Sequence, residues 1–246
     1  MKHSFTISFL LILSLIINIA KAQEESFPCK EANPILKELF NGKGLESLYI
    51  HDCNGPGLQA LSSSYLKASG VAPKIIEDPE GMEPPEDTDY VNWTCKYSMG
   101  NIADNNPKTA WVEGVKGYGI GEVLIVPCLD LTKPVEIWGG YGKSTKSFTT
   151  NSRPKTIRLI IIQAQMDGAT QYGSVYKNLQ MVSQNIVELE DINNYQSLNI
   201  PYYKPTTYKK EDAEELYNYF LGIEIVDVYK GSKWDDTCIS EIRNAD

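Results

Sequence analysis

Histidine is almost missing from this chain. Only His3 and His51 occur in 246 residues, so no set of imidazoles exists to build a His-rich zinc centre. His51 alone is the one base available to a Ser–His or Cys–His pair, but no Gly-x-Ser-x-Gly elbow accompanies it. There is no P-loop: Gly117-Tyr118-Gly119-Ile120-Gly121 is glycine-rich but lacks the Lys-Ser/Thr that reaches phosphate. There is no Cys-x-x-Cys, which argues against a redox pair. Acids are plentiful enough for a two-carboxylate glycosidase, but nothing selects a pair. These absences read against an enzyme, with a cryptic hydrolase as the least favoured alternative. Basic residues are also short, 23 Lys and Arg against 32 Asp and Glu, for a net charge of −9. An acidic surface repels phosphate backbones, so nucleic acid is not an expected partner.

Long apolar runs are missing too, apart from one at the start. After the basic Met1-Lys2-His3, a run from Phe5 to Ala20 is broken only by Thr6, Ser8, Ser14 and Asn18. It closes on Ala20-Lys21-Ala22, with small residues spaced for cleavage before Gln23. This is the layout of a secretory signal peptide over residues 1–22. The run is short for a bilayer span, so no membrane span is expected after cleavage. Losing Lys2 and Lys21 moves the charge from −9 to −11. The product is expected to be secreted or held in the periplasm or cell envelope. Its five cysteines, an odd number, then sit where disulfides persist.

Residues 23–76 carry few strand signals. Asn33-Pro34 before Ile35, Leu36, Leu39 and Phe40 reads as a short capped helix that Asn41-Gly42 ends. Cys29 and Cys53 bracket this piece, and a structural disulfide between them is expected. Residues 77–90 hold seven acids, three prolines and no base, the composition of a linker. From 91 to 246 short β-rich runs recur, at 122–126, 135–138, 156–162, 179–182, 186–189, 196–200, 222–229 and 237–242, with Gly, Asn, Asp and Pro between them. Many short strands with turn signals predict an all-β sandwich or barrel. One helix is expected, Lys210 to Phe220, with acids in its first turns.

Three phrases of this region occur together and in order. They are Ala103-Asp104-Asn105-Asn106-Pro107-Lys108-Thr109-Ala110-Trp111 with Gly117-Tyr118-Gly119, then Gly139-Gly140-Tyr141-Gly142-Lys143-Ser144 with Asn151-Ser152-Arg153-Pro154, and last Asp227-Val228-Tyr229-Lys230-Gly231 with Thr237-Cys238-Ile239-Ser240-Glu241. Together they resemble the discoidin-like (coagulation factor 5/8 type C, galactose-binding-like) domain that stands in front of secreted bacterial NAD glycohydrolases as a translocation or glycan-binding domain. The resemblance spans roughly residues 90–246. It implies a jelly-roll β-sandwich, with residues 23–76 as a small, mainly helical or irregular appendage, and it does not extend to a NAD-cleaving domain.

The resemblance also implies sites. Domains of this kind often hold a structural calcium ion, and the matching side chains are Asp104, Thr109 and Glu241, with carbonyls around Ala103 and Asn106. The alternative is a metal-free loop in which Asp104 caps the turn at Asn105-Asn106-Pro107, with Glu113 and Glu122 paired to lysines. For the ligand, Tyr118 and Tyr141 offer aromatic faces between glycines, and Lys143, Asn151 and Arg153 offer donors. Arg153 paired to an acid or stacked on a ring is the competing reading, and Trp111 and Trp138 fit the core. Because first and last strands often meet in this fold, Cys95–Cys238 and Cys128–Cys238 are both candidate pairings. The expected function is a non-catalytic binding protein for carbohydrate on a cell surface or envelope. A module that docks an envelope protein is the alternative.

Overall fold

The computed structural model describes residues 29, 32–51, 61–74, 88–126, 128–170 and 173–245. The signal-peptide stretch, Cys53 and residues 77–87 of the acidic linker lie outside the described residues. The linker's last three positions open a helix, α2 (Thr88–Thr94).

The chain folds as an antiparallel β-sandwich. One sheet has five strands in the order β1 (Leu45–His51), β6 (Gly173–Glu188), β5 (Arg153–Thr170), β10 (Asn218–Tyr229), β3 (Val123–Val126). The other has four, β2 (Trp111–Val112), β11 (Cys238–Asn244), β4 (Val135–Gly139) and β7 (Gln196–Leu198). In β4 burial alternates, with Val135, Ile137 and Gly139 inside, as expected where one face meets the core.

In β3 and in Leu159–Ile162 of β5 every residue is buried. A strand buried at consecutive positions must be covered on both faces. The second sheet covers one. The other is covered by the N-terminal segment, a 3-10 turn (Pro34–Leu36) running into α1 (Lys37–Phe40), whose Leu36, Leu39 and Phe40 belong to the same core as Ile160 and Ile125. Gly222 makes room for it, since a Cβ there would lie 2.8 Å from Phe40 Cζ and 2.7 Å from Ile160 Cγ1. After Asn41 and Gly42 the segment also supplies β1, paired with β6 from Leu45↔Leu179 to His51↔Gly173. The N-terminal part is therefore helical at its start, as the sequence indicated, and a strand of the sandwich thereafter.

Three expectations are corrected. Cys29 pairs with Cys95, not with Cys53. Residues 32–51 and 61–66 pack on the sandwich, and Cys29 lies at the end of α2, where its carbonyl accepts a hydrogen bond from the Tyr65 hydroxyl. Cys128 is disulfide-bonded as well, whereas Cys238 is a free thiol, fully buried on β11 beside Ala110 and Val112. Neither Cys95–Cys238 nor Cys128–Cys238 forms. The helix expected at Lys210–Phe220 is instead a hairpin, β8 (Thr207–Lys210) and β9 (Ala213–Leu216), followed by β10. Its turn is Glu211-Asp212, with Glu211 at φ 53°. Tyr208 packs on Tyr217 at 4.8 Å, and its hydroxyl donates to Glu215 at 2.7 Å. Tertiary pairing of these tyrosines overrides a composition that favours helix. No helix among the described residues is long and apolar enough to cross a membrane.

Candidate functional site

At one end of the sandwich, the loop before β2 meets β11. Asp104 organises this loop. Its Oδ1 accepts the Asn106 N–H at 2.9 Å, with Asn105 held in the left-handed region at φ 58°. The Thr109 hydroxyl has one proton, yet its oxygen lies 2.7 Å from Asp104 Oδ2 and 2.6 Å from the Asn106 carbonyl. Glu241 of β11 closes the group. Its side chain is buried, Oε1 accepts the Asn106 N–H at 2.8 Å, and Oε2 is buried with no hydrogen-bond partner. Burial, then the contact with Asp104, pushes the Glu241 carboxyl up to about 8, with the Asn106 amide and Arg243 pulling the other way. Two carboxyl groups, a hydroxyl and a carbonyl thus converge, Glu241 keeping its proton near neutral pH beside Asp104. These four groups offer only oxygen, the donor chemistry of a hard cation, although no group of three or more His, Cys, Asp and Glu side chains placed for a metal occurs among the described residues.

The Gly139–Ser144 loop lies against this group. Gly142 has to be glycine, because a Cβ would fall 2.6 Å from the Pro107 carbonyl and 2.7 Å from Trp138 Nε1. Ser240 fastens the two loops: its hydroxyl accepts from Gly142 N–H at 2.9 Å and donates to the Pro107 carbonyl at 3.1 Å. This carries Tyr141 and Lys143 to the Asp104 loop. Lys143 is exposed, and Tyr141 is half-buried against Ala110, Val112 and Cys238. Burial, then Tyr97 and Cys238, raises the Tyr141 phenol.

On the other side of Glu241 stands Trp138, with Asn193 and Tyr195, which nothing in the sequence marked. Trp138, opposite Glu241 in the β4–β11 pair, is half-buried and not in the sealed core. Its ring meets Tyr195 edge-on at 5.0 Å, and its Nε1 donates to Asn193 Oδ1 at 3.0 Å. The Arg243 guanidinium covers Tyr195 at 3.8 Å. Asn193 and Tyr195 belong to a polar stretch with no periodicity, and only the strand register brings them here. Trp111, by contrast, is fully buried and donates to the Ser64 carbonyl at 3.0 Å.

The remaining candidates are engaged in contacts of their own, with Arg153 beside the Tyr141 loop, its Cβ 3.2 Å from where a Cβ on Gly140 would lie. Arg153 forks onto Asp191, Nε to Oδ1 at 2.6 Å and Nη2 to Oδ2 at 2.5 Å, and its guanidinium lies 4.7 Å from the Phe148 ring. That is the competing reading of Arg153. Asn151 ends α3 (Thr145–Thr150), its side-chain amide donating to the Ser147 carbonyl at 2.8 Å. Tyr118 lies under Lys230 at 4.8 Å, and its carbonyl accepts the Thr237 hydroxyl at 2.8 Å. Glu122 pairs with Lys37 at 2.5 Å. Burial drives its carboxyl up, but hydrogen bonds from Lys37, Ser64 and Ser63 outweigh this and leave it below its ordinary value. Glu113 pairs with no lysine among the described residues. Buried, it accepts the Val115 N–H at 2.8 Å, and burial pushes it up to about 7.

An antiparallel sandwich with an acid-containing loop fastened to its last strand is the architecture of a discoidin-like domain. Residues 88–244 match the family described as the NAD glycohydrolase translocation F5/8 type C domain, and the chain belongs to that family. No curated protein and no solved structure matches it.

Proposed function

We propose that this chain is an exported, non-catalytic binding protein that recognises carbohydrate at the end of the sandwich where Glu241 meets the Asp104 loop. The observation that carries the proposal is the unpartnered Glu241 Oε2, buried beside Asp104 and one hydrogen-bonded step from the Tyr141 loop. Asp104, Thr109 and Glu241, with the carbonyls of Ala103 and Asn106, would hold a calcium ion, which needs six to eight oxygens and can take the rest from water. A cation there supplies charge and rigidity to the loop. The chain's own residues would meet the sugar: Tyr141, Trp138 and Tyr195 offer apolar ring surface for C–H faces, and Lys143 and Asn193 offer polar groups for hydroxyls. Tyr118, Asn151 and Arg153 support the fold around it. The Cys29–Cys95 disulfide favours a location outside the cytosol, in line with export by residues 1–22.

The test is a glycan array probed with purified protein, with and without calcium. Binding that needs calcium and is lost in Tyr141→Ala is the expected result. Silence under both conditions, from protein with an intact circular dichroism spectrum, would overturn the reading in favour of a protein-docking module.

A further inference from the structure

Among the described residues, the N-terminal segment covers part of one face of the five-stranded sheet. Phe40 sits on Gly222. Two steps back along β10 on the same face are Phe220 and then Asn218, since side chains of a strand alternate. On β6, Ser174 and Tyr176 share a face, and Ile50 is the cross-strand partner of Ser174. The curl of the sheet brings these two ends together: the Tyr176 and Phe220 rings meet edge-on at 4.9 Å although β5 separates their strands. Between them lies a cavity of about 280 Å³, closed on the β3 side by Leu129. It shares no residue with the Asp104–Glu241 group.

Its chemistry is consistent. No Asp, Glu, Lys, Arg or His lines it among the described residues, although the chain as a whole is strongly acidic. Its walls are mostly apolar or aromatic, among them Ile50, Val126, Leu129 and the rings of Tyr176, Tyr219 and Phe220, with the disulfide-bonded Cys128 beside them. Two neutral polar side chains, Ser174 and Asn218, supply a hydroxyl and an amide. Ligand sites combine an apolar lining with a few polar groups that fix orientation. An ion entering this cavity would be desolvated, and the described lining offers it no opposite charge. The volume falls just short of that typical for drug-sized ligands, so a single ring system is the scale that fits.

We propose that this cavity is a second binding site, for a small uncharged ring compound carrying one hydrogen-bonding group. The apolar body would lie against Tyr176 and Phe220, and its polar group would meet Asn218 or Ser174. The site operates independently of carbohydrate recognition.

The test uses the full chain and saturation-transfer NMR with indole and cyclohexanol, set against benzoate and benzylamine as charged rings of similar size. The neutral probes should saturate one shared site and displace each other, while the charged ones give at least tenfold less signal. Ser174→Trp fills the cavity from a half-exposed strand position and should weaken the neutral probes at least tenfold. Asn218→Asp, which adds only a charge, should weaken them severalfold and decides the matter if the first variant does not fold. Equal signals from charged and neutral probes, no signal from any, or unchanged binding in a folded variant would overturn the proposal.

Discussion

The Glu241 carboxylate and the Asn106 amide, 135 positions apart in sequence, are joined by a hydrogen bond of 2.8 Å that fastens the last strand to the loop before β2. That single bond uses one oxygen of a buried acid and leaves the other without a partner. A carboxyl so placed holds its proton near neutral pH, and a cation would compete with that proton.

Calcium binding should therefore release a proton. With Glu241 pushed up to about 8, the carboxylate form that a cation needs is the minority species below that pH. Apparent calcium affinity should rise as pH increases toward 8, by up to about tenfold per pH unit, and level off above it. Titration calorimetry in two buffers of different ionisation enthalpy measures the proton directly. Glu241→Gln should abolish both calcium binding and proton release while keeping the fold.

Glu113 gives a pH dependence of stability. Its folded pKa of about 7 lies above the ordinary 4.5, so between those values the folded state binds more protons than the unfolded one. Stability should fall as pH rises from about 4.5 to 7, by at most about 3 kcal/mol. In Glu113→Gln that slope should disappear, leaving the variant at least as stable as the parent at pH 8. Urea titrations at pH 5 and pH 8 compare the two proteins.

The Cys29–Cys95 disulfide spans 66 residues and holds down the segment that covers Ile160 and Gly222. A closed loop of that length stabilises by about 4 kcal/mol in the chain-entropy account. Cys29→Ser with Cys95→Ser should lower the denaturation midpoint accordingly and make residues 32–66 cleavable by limited proteolysis before the sandwich unfolds. A fragment beginning at residue 88 should bind hydrophobic dye, because it uncovers the outer face of β5 and β10.

Arg153 and Tyr141 should separate structure from recognition. Arg153→Ala removes a fork to Asp191 and a cation over Phe148, and should cost about 2 kcal/mol of stability with the array pattern unchanged. Tyr141→Ala should reverse the balance, losing glycan signal out of proportion to its melting temperature. Paired thermal melts and array profiles distinguish the two residues.

By itself the sequence marked β3, β4, β7, β10 and β11 and parts of β5 and β6, and missed β1, β2, β8 and β9. Val135 to Trp138 alternates and lies half inside, the run at 156–162 is β-rich because it is a central strand, and ordered phrases around Asp104, Tyr141 and Glu241 marked the family. These are local signals, set by side-chain period and turn chemistry, and they survive in the linear text. Only the tertiary structure decided what depends on which segments cross. Cys29 finds Cys95 because the N-terminal segment packs on the sheet, not because of any spacing between cysteines. The acids and tyrosines of 210–220 form a hairpin because Tyr208 and Tyr217 pack together, and that contact outweighs a modest helix propensity. Arg153 is committed to Asp191, and Asn193 and Tyr195 reach the site, only through strand register. Period and composition act over a few residues, whereas disulfide partners, ion pairs and site membership are settled by which distant surfaces burial brings into contact.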